Sequence, residues 1–182
     1  MKLKIVQAGD PVLRQQGRPL TTDEILSSRI QLLIELMRNT MREAPGVGLA
    51  APQIGESIQL AVIEDRADYL SDLSADQLAK YQRSAVPFQV IINPKLTVVG
   101  DSSAQFFEGC LSVTGFSAEV NRALKVRVEC LNERGEALTI DAQGWYARIL
   151  QHEIDHLNGI LYVDRMKTRT LTTAENLLRF WK

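Results

Sequence analysis

Both histidines of the 182-residue chain lie in one short segment, QHEIDHLNG, at residues 151–159. His152 and His156 are four residues apart, and Glu153 lies between them. On a helix of about 3.6 residues per turn, this separation places both imidazoles on one face. Both rings can then bind one metal ion, while Glu153, on the flank of that face, can reach a water bound to the ion. The H-E-x-x-H pattern is typical of metal-dependent hydrolases in which the glutamate is the general base.

A catalytic metal ion also needs a third protein ligand and an open coordination position. Six residues after His156, where some zinc peptidases have another histidine, this chain has Tyr162. Glu175 lies 19 residues after His156, which is nearly the spacing of a thermolysin-like site. No helix is predicted for the surrounding TTAENLL, so a solvated carboxylate is the simpler interpretation of Glu175.

Another candidate ligand is Cys110, in the segment EGCLSV at residues 108–113. A thiolate binds divalent metal ions strongly, and Gly109 gives the backbone freedom to approach a ligand. The alternative is that Cys110 is a small buried residue. That description fits Cys130 better, because Cys130 continues the apolar face of a predicted strand. The residues taken alone leave the third ligand open.

The composition excludes several classes of protein. Hydrophobic residues make up 45% and charged residues 24%, and the net charge of −1 provides no field that would attract nucleic acid or an anionic membrane. No apolar run reaches the roughly 18–20 residues of a membrane span. The first 14 residues lack the apolar stretch of a signal peptide, which predicts a cytosolic protein without a disulfide scaffold. The length predicts one domain over residues 1–182.

Alternating or continuous apolar runs predict strands at residues 3–7, 58–63, 90–99, 124–130 and 137–143. Apolar residues at spacings of three and four predict a helix from Thr21 or Thr22 to about Glu43. The polar segment 65–88 is predicted to hold a short surface helix in DLSADQLAKY, and whether this segment touches a substrate is left open.

The histidine pair belongs to a second predicted helix, from Gly144 to about Asn158, with Gly159 as its left-handed cap residue. The predicted fold class is therefore α+β. Its strands are mostly antiparallel and pack around a central helix that carries the H-E-x-x-H motif.

A third motif, GVGLAAPQIG at residues 46–55, has neither the Lys-Ser/Thr of a phosphate loop nor the G-x-G-x-x-G spacing. Together with EGCLSV and QHEIDHLNG, in this order, it closely resembles the three signature motifs of the peptide deformylase family. The resemblance covers roughly residues 5–170. Residues 144–170 resemble most the type 1A branch, which includes organellar enzymes.

The resemblance implies a hydrolase that removes formate from the N-terminal formyl-methionine of newly made polypeptides. It assigns the metal ion to Cys110, His152 and His156, and the roles of general base and acid to Glu153. Fe(II) is the implied native ion, and zinc, nickel or cobalt can replace it. Donors to the formyl oxygen, as it becomes an oxyanion, would be Gln53 and the backbone N–H of Leu111.

The resemblance also implies how the peptide is held. Backbone groups around Val47, Gly48 and Gly109 would pair with the extended peptide, and Val47 and Ile149 would line the pocket for the methionine side chain. Two departures concern this groove: Thr114 stands where many members have proline, and Ser117 where many have arginine. Both departures bear on contacts with the peptide backbone rather than on the chemistry.

The implied partner is a formyl-methionyl nascent peptide, with the protein a monomer or homodimer in a bacterial-type cytoplasm. A mature organellar enzyme is the alternative. A transient contact with the ribosome through the basic C-terminal residues is a further hypothesis: Arg165, Lys167, Arg169, Arg179 and Lys182. The simpler interpretation is an amphipathic tail that docks through Leu177, Leu178 and Trp181.

Two other functions fit parts of the pattern. A general metallopeptidase would use Glu175 as the third ligand. A non-catalytic protein with a structural zinc ion would need a closed site, usually with four protein ligands, and the chain cannot readily supply a fourth histidine or cysteine.

Overall fold

The computed structural model describes residues 2–44 and 46–181. Its α-helices are α1 (Thr22–Leu26), α2 (Ser28–Glu43), α3 (Ala67–Leu70), α4 (Ala75–Tyr81), α5 (Gly144–Leu157), α6 (Tyr162–Arg165) and α7 (Ala174–Phe180). Its strands are β1 (Gly48–Ala50), β2 (Leu60–Asp65), β3 (Val86–Val98), β4 (Ser103–Cys110), β5 (Val113–Ala123), β6 (Lys125–Leu131), β7 (Ala137–Gln143) and β8 (Thr172–Thr173). Short 3₁₀ turns span Pro11–Arg14, Ala51–Ile54 and Thr168–Thr170.

The larger sheet has the strand order β1-β2-β3-β6-β7, and each neighbouring pair is antiparallel. Helices α2 and α5 cover opposite faces of its β2 strand. Leu60 and Val62 pack in the cluster that contains α2, whereas Ala61 and Ile63 pack in the cluster that contains α5. A strand covered on both faces needs apolar residues at every position, which explains its uninterrupted run LAVI. Strand β6 buries alternate residues and keeps the predicted alternation.

The smaller sheet, in the order β4-β5-β8, positions the cysteine motif. Strands β4 and β5 form a long antiparallel hairpin whose register shifts between Gly109 and Cys110. Such an irregularity bends a strand and re-aims its side chains, and here it occurs at the last two residues of β4. The hairpin packs against α6 through Ala118, Val120 and Tyr162.

Helix α5 lies at the centre of the fold, as predicted, and buries most of its length, including Ala147, Leu150 and Leu157. It ends before Gly159, whose φ of +73° is left-handed and whose missing Cβ would lie 2.7 Å from the Arg14 carbonyl oxygen. No other residue type fits that position without displacing the neighbouring backbone. The predicted α+β class, with mostly antiparallel strands around a central helix, is confirmed.

Two predicted elements are wrong. Residues 3–7 form no strand: the backbone N–H of Val6 donates to the carbonyl of Gln53 (2.9 Å), so this segment is tied to the 3₁₀ turn rather than to a β ladder. The predicted helix from Thr21 to Glu43 is two helices, α1 and α2. Between them Ser27 is extended, with φ −67° and ψ 147°, and its side chain accepts from the Ile30 N–H. A serine that satisfies a helix N–H in this way begins a new helix.

The segment 65–88 contains the predicted surface helix as α4, with Ser74 as its N-cap. Arg83 anchors the segment to strand β2 by donating two hydrogen bonds to the buried carboxylate of Asp65, the last residue of that strand (2.7 and 2.9 Å). Strand β3 begins inside this segment, at Val86. In residues 2–44 and 46–181, helices fall short of the length and apolar character that a membrane crossing requires.

Candidate active site

Helix α5 presents His152 and His156 on one face, with ring centroids 4.9 Å apart. The hairpin of the smaller sheet brings Cys110 to the same point, and its Sγ lies 3.3 Å from Nε2 of His156. One ligand atom from each of the three residues lies within 4.8 Å of the other two. A thiol and two imidazoles at this separation suit a divalent ion such as Zn²⁺ or Fe²⁺. The structure thus brings together the three residues proposed to hold the metal.

Glu153 lies beside these ligands and is 4% exposed. Within the described part of the chain, its Oε2 atom is buried and has no hydrogen-bond partner. An unpaired buried carboxylate oxygen is costly, so this arrangement fits a site that also holds a water or a reacting group. Burial raises the pKa of Glu153 to about 7. A carboxyl with that pKa can accept and return a proton near neutral pH.

Glu108 orients the first histidine. Its carboxylate lies 3.0 Å from Nδ1 of His152 and also accepts hydrogen bonds from Arg122 and Arg148. Burial opposes ionisation of Glu108, but the hydrogen bonds with His152 and Arg122 prevail and hold its pKa well below the usual range. An ionised acceptor at Nδ1 directs Nε2 of His152 towards a metal ion and makes the ring a stronger ligand.

Arg122 extends this network to Asp155, three residues after His152 on α5. It contacts the carboxylate of Asp155, which accepts two further hydrogen bonds from Arg165 (2.7 and 2.8 Å). Glu108, Arg122 and Asp155 are all less than 9% exposed. The charges therefore lie largely out of water, and each depends on its partners. The network joins β4, β5, α5 and α6 around the histidine pair.

The protonation of the two histidines differs. Burial, together with the neighbouring His152, lowers the pKa of His156 well below its usual value, so its ring is neutral and able to bind a metal ion. Burial alone would lower the pKa of His152, but hydrogen bonds to Cys110 and Glu108 raise it. A raised pKa favours the protonated ring of His152. Metal binding requires the loss of this proton, because a ligating imidazole must be neutral.

Gln53 occupies a fixed position opposite the cysteine and is 2% exposed. Its Oε1 accepts from the Ala50 N–H (2.9 Å), which leaves Nε2 as the inward-facing donor. That Nε2 lies 3.5 Å from Cys110 Sγ and 3.2 Å from Ser112 Oγ. Leu111, the residue between them, lines the same cleft.

The cleft in front of these groups has a volume of about 390 Å³, the size of a typical small-ligand site. All four residues that sequence reasoning proposed for substrate binding line it: Val47, Gly48, Gly109 and Ile149. Phe107, Trp145 and Arg148 also line it, and sequence reasoning did not propose them. Trp145 lies one helical turn before Ile149, so the spacing of four residues was the signal that could have found it.

The segment 65–88 packs against Trp145, one of the residues that line the cleft. The ring centroid of Tyr81 lies 5.4 Å from that of Trp145, and the guanidinium of Arg83 lies 5.2 Å from the Trp145 ring. The segment therefore contacts a residue that lines the cleft.

A sequence profile of the polypeptide deformylase family matches residues 2–171. The chain belongs to the polypeptide deformylase family. The resemblance inferred from the three sequence motifs is therefore confirmed.

Individual members of the family are similar over nearly the whole chain. Peptide deformylase 1A, chloroplastic, from Solanum lycopersicum is 53% identical over 173 residues, which cover 95% of this chain and 62% of that protein. Peptide deformylase 1A, chloroplastic/mitochondrial, from Arabidopsis thaliana is 47% identical and covers 96% of this chain and 65% of its own length. The chain thus spans a little under two thirds of the length of these two relatives.

A solved structure has the same fold. The class I type b peptide deformylase from Acinetobacter baumannii, crystallised with Met-Ala-Ser bound, superposes with a TM-score of 0.81 at 32% identity. The match covers 91% of this chain and 99% of that one.

Glu175, the alternative third ligand, is not part of the candidate metal site. It is exposed in the first turn of α7, and among the described residues the metal-binding group consists of Cys110, His152 and His156. The segment TTAENLL, for which no helix was predicted, contributes most of α7.

The docked tail predicted from Leu177, Leu178 and Trp181 is only partly right. Leu178 is 66% exposed, whereas the ring of Trp181 lies 5.2 Å from that of Phe107.

A glycine is required opposite the Glu153 carboxylate. A Cβ on Gly48 would lie 2.2 Å from Glu153 Oε1, so Gly48→Ala is expected to push this carboxylate out of position without touching the metal ligands. A displacement of about 1 Å at a reacting group can cost about 10²-fold in rate, and we expect a loss of that order in kcat. Metal content, measured by atomic emission, should be unchanged.

The double variant provides the control for this prediction. If Gly48→Ala acts through Glu153, it should lower kcat little further in a Glu153→Gln background. Loss of metal from the single variant, or full additivity of the two effects, would show that Gly48 has another role.

Proposed function

We propose that this chain is a metal-dependent hydrolase that removes the formyl group from the N-terminal formyl-methionine of new polypeptides and releases formate. The observation that carries the proposal is the convergence of Cys110, His152 and His156 on one point, with the buried Glu153 carboxylate beside them at the cleft. The names of the relatives support the reaction class.

Cys110, His152 and His156 would hold the ion. Bound there, a divalent ion would supply Lewis acidity and lower the pKa of water. Zinc, nickel, cobalt and iron(II) all accept this donor set, and we propose Fe(II) as the native ion. Air can oxidise Fe(II), the thiolate beside it, or both, whereas Ni(II) resists oxidation, so the iron form should lose activity in air while the nickel form does not. Equal lifetimes of the iron and nickel forms in air would count against an iron–thiolate site.

Glu153 would move the protons of the reaction. Its carboxylate, poised by burial near neutrality, takes a proton from the attacking water as that water adds to the formyl carbon. The same carboxyl then delivers the proton to the nitrogen of the leaving methionine. Water is consumed, the C–N bond breaks, and formate and a free N-terminus are the products.

Gln53 and Leu111 would stabilise the negative charge that develops on the formyl oxygen. Nε2 of Gln53 is already held by its neighbours, and fixed donors need no reorganisation as the charge develops. The backbone N–H of Leu111 would be the second donor. Fixed donors of this kind are worth about 10²–10³ in rate.

The peptide would lie along the cleft with its methionine side chain against Val47 and Ile149 and its backbone beside Gly48 and Gly109. The Met-Ala-Ser bound to the related Acinetobacter protein supports a peptide of this kind as ligand. We propose that residues 1–182 act as one catalytic domain, since α5 contacts strands of both sheets. A rival assignment as a structural zinc protein lacks the fourth protein ligand that closed sites usually have, because among described residues the group has three members.

The proposed setting is a compartment where synthesis starts with formyl-methionine, either a bacterial cytoplasm or an organelle. Whether the protein acts there as a monomer or homodimer, and whether it touches the ribosome, stay predictions. Arg165 is less available for such a contact than its sequence position indicates, because it is paired with Asp155.

The deciding experiment measures formate release from formyl-Met-Ala-Ser under anaerobic conditions, with the protein loaded with Fe(II), Ni(II) or Zn(II) or stripped by chelator. We expect formate release from the loaded forms only, and no free N-terminal amine from acetyl-Met-Ala-Ser treated in the same way. A hydroxamate with a methionine-like side chain should inhibit far better than the same peptide without the hydroxamate. A metal-loaded protein that leaves the formyl peptide intact would refute the proposal.

A further inference from the structure

The N-terminal segment Val6–Ala8, here called the strap, contacts both parts of the chain that carry the proposed oxyanion donors. The N–H of Val6 donates to the carbonyl of Gln53 (2.9 Å). Two residues later, the N–H of Ala8 donates to the carbonyl of Ser112 (2.7 Å). The strap thus links the 3₁₀ turn of Gln53 to the turn after Cys110.

These contacts form a closed ring of hydrogen bonds. Gln53 Nε2 donates to Ser112 Oγ (3.2 Å), so the two turns are joined directly by side chains as well as through the strap. The N–H of Ser112 lies 3.4 Å from Cys110 Sγ, which ties the same turn to the metal site. Rotation of the Leu111–Ser112 peptide would break the contact between the Ser112 N–H and this sulfur.

The Gln7 side chain completes the link at Leu111. Its Nε2 donates to the Leu111 carbonyl (3.0 Å), and its Oε1 accepts from the Oγ1 (2.8 Å) and the N–H (3.3 Å) of Thr114. Thr114 is the position at which many family members have proline. In this chain, hydrogen bonds of the Gln7 side chain with Leu111 and Thr114 span the turn. A proline at position 114 would instead restrict the backbone there directly.

We propose that Gln7 is a positioning residue for the oxyanion donors, acting through the Leu111 carbonyl, and that the strap serves this purpose. The inference rests on the proposed function. Donors of this kind act by preorganisation, so a small loss of orientation at Leu111 lowers the rate of the chemical step. Gln7 is exposed. Substitutions at exposed positions usually change stability little, so a defect in turnover can be separated from a defect in folding.

The test compares Gln7→Ala and Gln7→Glu with the parent protein, all metal-loaded and assayed for formate release from formyl-Met-Ala-Ser. Gln7→Ala should lower kcat by about 3- to 10-fold, the equivalent of one or two hydrogen bonds, with KM nearly unchanged. Gln7→Glu keeps the acceptor for Thr114 but removes the donor to the Leu111 carbonyl. Its kcat should fall at least as far as that of Gln7→Ala. Gln16→Ala, at another exposed glutamine of the N-terminal region, is the matched control and should equal the parent.

Amide hydrogen exchange on the same metal-loaded proteins gives a readout that does not depend on turnover. The amides of Leu111 and Ser112 should exchange faster in Gln7→Ala by a similar factor, while Val128 in β6 should not change. Parent-like exchange at Leu111 and Ser112, or parent-like kcat in either Gln7 variant, overturns the inference. A parent protein that releases no formate defeats the proposed function instead, which is a different result from an active parent whose Gln7 variants match it.

Discussion

Glu153→Gln is expected to lower kcat for formate release by at least about 10²–10⁴-fold while the protein keeps its metal ion. Glutamine preserves the size and hydrogen-bonding capacity of the side chain but cannot accept a proton. The three proposed ligands remain, because Glu153 is not part of the group formed by Cys110, His152 and His156. Stopped-time formate assays and metal analysis on the same preparation measure the two quantities together.

The control for Glu153→Gln must be a glutamate whose loss does not disturb buried charges. Asp155, the other acidic residue between the histidines, is unsuitable because it is 8% exposed and paired with Arg122 and Arg165. Breaking a buried pair can cost about 3–5 kcal/mol, so Asp155→Asn would mix folding with catalysis. Glu175→Gln, at an exposed position of α7, makes the same chemical change and should keep parental turnover. Near-parental turnover of Glu153→Gln would mean that another group is the base.

The sequence predicted best the elements whose ends are marked by a regular burial pattern or by a cap residue. Strand β7 has the predicted bounds because its buried and exposed positions alternate, and α5 ends within one residue of its prediction because Gly159 marks its end. Strand β2 was predicted two residues too early, at 58–63 rather than 60–65. A strand buried on both faces shows no alternation, so its ends are poorly marked in sequence.

The elements that were missed depend on contacts between distant residues. The hairpin of β4 and β5 buries Glu108 and Arg122, so two of its inward-facing positions are charged, and a pattern of apolar residues cannot identify them. Residues 3–7 have the composition of a strand, yet the N–H of Val6 donates to the Gln53 carbonyl and that of Leu3 to the Thr40 side chain. The break at Ser27 was visible only as a serine inside an otherwise continuous helical pattern.

The candidate site divides in the same way. Residues that carry reactive groups, such as His152, Glu153 and Cys110, were found from residue type and from the family motifs. Residues that hold those groups in place were not found: Glu108 acts on His152 across 44 residues of sequence, and Gln7 reaches Leu111 across 104. Glu108 and His152 each lie within a quoted motif, but a motif records neither their contact with each other nor the contact of Gln7 with Leu111.

Cys110→Ser is expected to lose its metal ion and its activity together. The thiolate is one of the three ligand atoms that lie within 4.8 Å of one another, and a serine hydroxyl, which stays protonated near neutral pH, is a far weaker ligand. Removal of a residue that only hydrogen-bonds to a metal ligand typically costs about 10–100-fold in metal affinity. Removal of the ligand itself should cost more. Metal content after dialysis against a weak chelator, followed by anaerobic formate release, measures both effects.

Cys130→Ser is the matched control for this prediction, because it makes the same substitution at the other cysteine. Cys130 is 6% exposed in the core beside α5, and burial raises the pKa of its thiol to about 11, so it is a neutral packing residue. Its replacement should lower the melting temperature but leave the metal bound. If Cys110→Ser kept its metal while Glu175→Gln lost it, the ligand set would be that of the rival metallopeptidase, with Glu175 in place of the cysteine.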